Sequence, residues 1–341
     1  MDILMNAMLE KKNEIRFGII GTNSITEKIL EAAKQEPRFK LTAVYSRTQK
    51  QADYFAAKHN IPHTFTSLEA MASSELIDAV YIASPNSLHA PQSILFMNHG
   101  KHVLCEKPLA SNANEIREMI TTAEKNNVVL MEAMKPTLTP NFLAIRDNLE
   151  KIGTIRRYFS CYCQYSSRYD DLKKGIIQNA FKPELSNGAV MDIGIYTIYP
   201  MVVLFGKPKS INATGLKLST GVDGQGAINF EYDGMNATVL YSKIANSSLP
   251  TEIQGEEGTI VSDRINIISG VSIKYMNGEE VVISSQSPLH EYYYEIAEFI
   301  GLIQADKSQS EINSLYNSLI TIEIIDEIRK QLGIVYPADK K

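Results

Sequence analysis

Phe17-Gly18-Ile19-Ile20-Gly21-Thr22-Asn23-Ser24-Ile25-Thr26 joins an apolar strand to a polar turn and then to the start of a helical pattern. The apolar run begins at Ile15, and similar short runs recur at Lys40–Tyr45, Ala79–Ala83, His102–Cys105 and Val128–Met131. Longer segments with helical spacing separate them, as where Ile116, Met119, Ile120 and Ala123 fall at i, i+3, i+4 and i+7. Asn112, with Glu115 three residues on, gives that helix a capping-box start. The strands are apolar on both faces, as strands are when helices cover both sides of a parallel sheet. This β/α alternation predicts a doubly wound α/β domain of Rossmann type.

Beyond about residue 150 the period changes. Ile228, Phe230 and Tyr232 alternate with polar neighbours and run into Asp233-Gly234, a hairpin signal. Val271, Ile273 and Tyr275 do the same before Asn277-Gly278, with a return strand at Val281–Ile283. Leu315, Leu319, Ile322, Ile325 and Ile328 mark an amphipathic helix. The second half therefore reads as an α+β domain with a largely antiparallel, open-faced sheet. Residues 1–137 are expected to be the dinucleotide-binding domain, with 1–14 a short extension, and 138–341 the domain for substrate and self-association.

A chain of 341 residues favours two cores over one. The formal net charge of -5 argues against a nucleic-acid partner, which needs clustered basic surface. No run approaches the roughly 18 apolar residues of a membrane span, and MDILMNAMLEKKNE lacks the pattern of a secretory signal. Cys105, Cys161 and Cys163 include no C-x-x-C pair, which suits reduced thiols in a cytoplasmic protein. Cys161 and Cys163, two apart, would share one strand face as small packing residues. No His/Cys pattern suggests a metal, so none is expected.

Placed on the first turn, the G-x-G-x-x-G fingerprint keeps Gly21, but its later glycines become Asn23 and Thr26. Asn enters the left-handed region more readily than most residues. The turn can thus still lead into a helix N-terminus that receives a pyrophosphate; a tight turn without ligand fits the same residues. After the second strand comes Ser46-Arg47 where an NAD site usually places a carboxylate. A hydroxyl and a guanidinium suit a 2′-phosphate, so NADP is favoured with NAD as the second candidate, and a solvated Arg is the bland alternative. Ser84-Pro85-Asn86-Ser87-Leu88-His89 and Glu106-Lys107-Pro108 follow later strands at the sheet edge where ligands lie.

These segments together resemble the glucose–fructose oxidoreductase / inositol dehydrogenase / MocA family. The resemblance is carried by GIIGTNSI, SPNSLHA, GKHVLCEKPLA and MDIGIY, and extends to GIVYPAD near the end. It implies that Gly21, Thr22, Asn23, Ser24 and Ile25 cradle the pyrophosphate and that Ser46 and Arg47 meet the adenosine phosphate. Ser84, Pro85, Asn86 and His89 would line the nicotinamide side. Glu106 would hold the nicotinamide ribose, and Lys107, also against the cofactor, would face the reacting oxygen. Asp192 and Tyr196, four apart on one helical face, would point at the substrate.

Many members place His where Tyr196 stands. Tyr is similar to the NADP-linked dimeric dihydrodiol dehydrogenase and xylose dehydrogenase branch. That branch carries an aromatic residue and Arg after Met131-Glu132-Ala133-Met134, whereas Lys135-Pro136-Thr137 follows here. The substrate pocket is therefore expected to differ. Arg168 and Asn179, in a polar and aromatic stretch, are candidate substrate contacts, and a surface loop is the alternative. The expected reaction is hydride transfer between nicotinamide and a secondary alcohol of a sugar, polyol or dihydrodiol, with Lys107 and Tyr196 catalytic. A non-catalytic NADP-binding sensor on the same scaffold is the rival reading. The open sheet face suggests a homodimer or higher oligomer.

Overall fold

The structure, a computed structural model, describes residues 14–340. Apart from Glu14, the expected extension lies outside the described residues. Strands β1 (Ile15–Ile20), β2 (Phe39–Tyr45), β3 (His63–Phe65), β4 (Ala79–Ile82), β5 (His102–Glu106) and β6 (Leu130–Ala133) form one parallel sheet in the order β3-β2-β1-β4-β5-β6. Alternation sorts the buried side chains by face. Phe17 and Ile19 join Ile29 and Leu30 of helix α1 (Ser24–Ala33). Ile20, Val80 and Ile82 join Phe96 of α2 (His89–Asn98) and Ile116 and Met119 of α3 (Ala113–Asn126). At the start of α3, Asn112 Oδ1 accepts the Glu115 N–H at 3.0 Å, and Glu115 accepts the Ser111 N–H at 2.9 Å. Two details differ from the sequence reading: β6 begins at Leu130 rather than Val128, and β3 was not foreseen. Three residues at a sheet edge, His-Thr-Phe, carry no apolar run to betray them.

Strand order reverses between β1 and β4, which opens a crevice beyond their carboxyl ends. Ile20, Ile82, Cys105 and Glu132 are register partners in turn across β1, β4, β5 and β6. The residues that follow them, Gly21, Ala83 and Glu106 among them, therefore line one rim.

The second sheet contains β7 (Ile155–Cys163), β8 (Ser210–Lys217), β9 (Asp223–Glu231), β10 (Asn236–Ser242), β11 (Thr251–Gly255), β12 (Gly258–Ser262), β13 (Val271–Tyr275) and β14 (Glu280–Val282). Their order is β14-β13-β12-β11-β7-β10-β9-β8. Gly234 and Gly278 take the positive φ that their hairpin turns require, 73° and 88°. Pairing is antiparallel throughout except between β7 and β10. That parallel pair needs a crossover, and the long connection between the two strands includes helix α4 (Ile195–Phe205). Tyr158 of β7 donates to the Thr197 carbonyl at 3.0 Å, fixing α4 against the inner face. The helical segment Pro183–Phe205, although interrupted by Glu184 and Asp192, reaches the mean hydropathy of a span, 1.6, and 72% of that most apolar window is buried as core.

Helix α5 (Tyr293–Gln304) returns to the first sheet, where Ile296, Phe299 and Ile300 pack with Phe17, Ile19 and Tyr81. The Phe17 and Phe299 ring centroids are 5.9 Å apart. Helix α6 (Leu315–Leu332) buries Ile322, Ile325 and Ile328, as its periodicity predicts.

Candidate active site

Gly21 follows β1 with φ +104°, and a Cβ there would lie 2.5 Å from the Ala83 carbonyl oxygen. Only glycine allows β1 and β4 to leave the sheet this close together. Asn23 corrects the sequence reading: it is not left-handed but extended, with φ −99° and ψ −178°. Its side chain explains why. Oδ1 accepts the N–H groups of Ile25 and Thr26 at 3.0 and 3.1 Å, and Nδ2 donates to the Ala83 carbonyl at 2.7 Å. It is the N-cap of α1. Thr26, in the third glycine position, donates its hydroxyl to the Gly21 carbonyl at 2.8 Å.

Among the described residues, none accepts from the backbone N–H groups of Thr22, Asn23 or Ser24. They stand at the positive end of α1, where a pyrophosphate fits. At the end of β2, the Ser46 N–H is held by the Phe65 carbonyl at 3.1 Å. Arg47 is exposed and has no ion pair among the described residues, so its guanidinium is available to a phosphate. The donors present fit a phosphorylated dinucleotide.

Past β4, the Ser84 hydroxyl donates to Gln92 at 2.7 Å. Pro85 is half-buried, and Asn86 donates to the Ser186 carbonyl at 2.9 Å, tying this wall to the second half of the chain. His89 was expected to line the nicotinamide side. Its ring is instead buried, with Nδ1 2.8 Å from the Pro108 carbonyl and Nε2 2.9 Å from the Ser84 carbonyl. Burial pushes its pKa down. His89 braces the wall and does not form its surface. Glu106 accepts the Tyr81 hydroxyl at 2.6 Å, and burial raises its carboxyl above the usual range. The turn that carries Lys107 is gripped from below by buried Glu132, which accepts the Leu109 N–H at 3.0 Å and is pushed up to about 7 by burial.

Lys107 reaches across the crevice. Its ammonium donates to the Asp192 carbonyl at 2.7 Å and to Asp192 Oδ1 at 3.2 Å, and lies 4.9 Å from the centroid of the Tyr196 ring. Asp192 sits in a π turn, Val190–Gly194, that runs straight into α4. The wider turn alters the simple one-face geometry, yet both Asp192 and Tyr196 still meet Lys107. Buried Asp223 fixes the start of this segment by accepting the N–H groups of Ala189 and Val190 at 2.9 and 2.8 Å. On the other carboxylate oxygen, Oδ2, Lys243 forms a second ion pair. Burial raises the Asp192 pKa, but the charges of Lys107 and Lys243 outweigh it and hold the carboxyl well below its ordinary range. Burial raises the Tyr196 phenol well above its ordinary value, so it stays protonated.

Arg168 and Asn179 are both exposed and make no contact with this cluster. Their loop reaches the cluster through Phe181, whose ring lies 5.7 Å from the Lys243 ammonium. A depression of about 460 Å³ lined by Arg16, Asp78, Lys101 and His102 lies at the opposite, amino-terminal edge of the first sheet, remote from Lys107.

Two sequence profiles cover this architecture. The NAD-binding Rossmann fold of the GFO/IDH/MocA oxidoreductase family matches residues 15–134, and the GFO/IDH/MocA C-terminal domain matches residues 144–261. The chain belongs to this family. It is 56% identical over 326 residues to scyllo-inositol 2-dehydrogenase (NADP(+)) of Bacillus subtilis, covering 96% of this chain and 99% of that one. It is 31% identical to trans-1,2-dihydrobenzene-1,2-diol dehydrogenase of Danio rerio, over 96% and 99% of the two chains. A 3-ketoreductase from Actinomadura kijaniata, solved with NADP and TDP-benzene, shares the fold at TM-score 0.81 and 22% identity over 94% and 98%.

As a GFO/IDH/MocA protein, the chain is an NAD(P)-dependent oxidoreductase acting on CH–OH groups. Lys243 and Asp223 were not found from the sequence. Nothing in a strand-end Ser-Lys or a lone Asp announces a partner on another element. Glu295 was also missed: it is wholly buried, and burial together with nearby Glu106 raises its carboxyl well above the usual range.

Proposed function

We propose that the chain is an NADP-linked dehydrogenase of a cyclic polyol, with an inositol as the leading substrate. The observation that carries this reading is the Lys107 ammonium held between Asp192 and the Tyr196 ring, beyond β5 at the mouth of the crevice. When bound, NADP supplies the hydride acceptor for the alcohol carbon. Lys107 takes the hydroxyl proton as the ketone forms, and the protonated Tyr196 phenol donates a hydrogen bond to the same oxygen. Asp192 orients Lys107 and accepts from a neighbouring substrate hydroxyl. The free N–H groups at Thr22–Ser24, with Gly21 and Ile25, serve the pyrophosphate, Ser46 and Arg47 the 2′-phosphate, and Ser84, Pro85, Asn86 and Glu106 the nicotinamide ribose side. Arg168 and Asn179 stand as rim contacts for the polyol.

The polyol reading draws on the 56% identity to scyllo-inositol 2-dehydrogenase. The test is a panel of scyllo-inositol, myo-inositol, aldoses and trans-dihydrodiols with NADP, read as NADPH absorbance. Inositols should be oxidised fastest. NADPH formation with none of the panel would sink the reading.

A cytosolic enzyme that pairs through its second sheet completes the proposal. The sheet's outer face sets Phe159, Cys161, Leu240, Ala227 and Val261 near its centre, together with Glu252 and Thr238, which flank Phe159 in register, and with Arg157, Gln254 and Lys274 around them. Cys161 and Cys163 share this face, their sulfurs 3.7 Å apart. An open sheet face of mixed apolar and polar residues suits a two-fold partner. Light scattering should give at least twice the chain mass of 38.1 kDa at micromolar concentration; the single-chain mass would overturn the assignment.

A further inference from the structure

The second ammonium on Asp192 has no part in the scheme above. Lys243 follows β10 directly, and its side chain is only 4% exposed. Its backbone N–H donates to the Gly224 carbonyl at 2.8 Å, which fixes its root. One carboxylate thus serves two ammonium groups, Lys107 on Oδ1 and Lys243 on Oδ2. No other cation among the described residues pairs with Asp192.

Alcohol oxidation requires Lys107 to start as the amine and finish as the ammonium. If Asp192 had Lys107 as its sole partner, the amine form would leave a half-buried carboxylate with no countercharge. That state is costly, so the carboxylate would hold the proton on Lys107 and oppose catalysis. With Lys243 on the other oxygen, Asp192 remains neutralised after the proton has left. The trio then passes between one net positive charge and none, never to a bare anion. We propose that Lys243 is a positioning residue of the dehydrogenase: it keeps Asp192 compensated while Lys107 is in the amine form. This rests on the reading of Lys107 as the proton acceptor.

The other ionisable groups facing the trio do not substitute for Lys243. Tyr162 of β7 and Tyr196 of α4 are phenols that burial raises, so both are uncharged near neutral pH. Glu106 of β5, and Glu291 and Glu295 by α5, are carboxyls, and Arg264 acts on Tyr162 from beyond β12.

The test is the pH dependence of kcat/KM for oxidation of the alcohol that the parent enzyme turns over fastest. In Lys243→Met the acid limb should move up by about one pH unit or more, with about a tenfold loss at pH 7 that recovers at higher pH. Lys243→Arg retains the charge and should keep the limb near its parental position. In an Asp192→Asn background, where no shared carboxylate holds Lys243 beside Lys107, only the direct repulsion between the two ammonium groups is left to lose, and Lys243→Met should move the limb clearly less. An unshifted limb in a Lys243→Met protein that binds NADPH normally overturns the proposal, as does an equal shift in the Asp192→Asn background. If Lys243→Met and Lys243→Gln both fail to fold while Lys243→Arg is active, Lys243 is structural and the proposal falls. A parent enzyme with no dehydrogenase activity removes the functional reading and this proposal together; an active parent with unmoved variants removes this proposal alone.

Discussion

Lys107→Met should cut turnover by about 10²–10⁴-fold while leaving NADPH affinity within severalfold, the range that general acid–base assistance supplies. Met keeps the length and apolar stem of Lys107 and removes only the amino group that sits 2.7 Å from the Asp192 carbonyl. Loss of one partner from a half-buried ion pair ordinarily destabilises a protein, because a charge is left alone. Here Asp192 retains Lys243, so the variant should fold and the effect should be kinetic. The N–H donors proposed for the pyrophosphate at Thr22–Ser24 lie on another loop and are untouched. Tyr196→Phe keeps the ring face over Lys107, 4.9 Å from its ammonium, and removes only a hydrogen bond to the substrate oxygen, so its loss should be smaller. Near-parental turnover in the Met variant, measured with NADPH binding followed by fluorescence, would take Lys107 out of the mechanism.

NADP should bind about ten- to a hundredfold more tightly than NAD, and Arg47→Asp should flatten or reverse the preference. The expected gain is that of a charge-assisted contact to a 2′-phosphate, roughly 1.5–3 kcal/mol. Arg47 is exposed, so screening should place the gain at the lower end and make it fall as salt rises. Asp in its place would repel the phosphate and offer an acceptor to the free ribose hydroxyls. Equal dissociation constants for the two cofactors in the parent protein would count against the assignment.

The parts of this molecule that announce themselves in the sequence are those whose partners lie nearby along the chain. Periodicity revealed both sheets because alternation is a property of each strand alone, and Asp233-Gly234 and Asn277-Gly278 marked their hairpins for the same reason. Lys107 was legible because it ends a strand beside a turn, where parallel sheets gather ligands. Lys243 also follows a strand, but it lies outside every stretch that carries the family resemblance, and its pairing with Asp192, 51 residues away, leaves no mark in the sequence. Asn23 and His89 show a subtler limit. Asn23 was expected to be left-handed and His89 to line the nicotinamide side, but backbone groups had already claimed both side chains. Helix α5 did carry a readable stripe, at Tyr292, Ile296, Phe299 and Ile300, but no pattern within the helix says which sheet it will cover.

That helix makes the nucleotide-binding sheet dependent on a segment synthesised long after its own strands. As the chain emerges from a ribosome, β1 through β6 are complete long before residue 293 exists, and the face around Phe17, Ile19 and Tyr81 waits with only part of its cover, from Ile29 and Leu30 of α1. Contacts that close so large a loop are slow to form, and exposed apolar surface in the interval invites aggregation or chaperone capture. The nascent first half therefore reaches its final stability only once the chain has been made through α5.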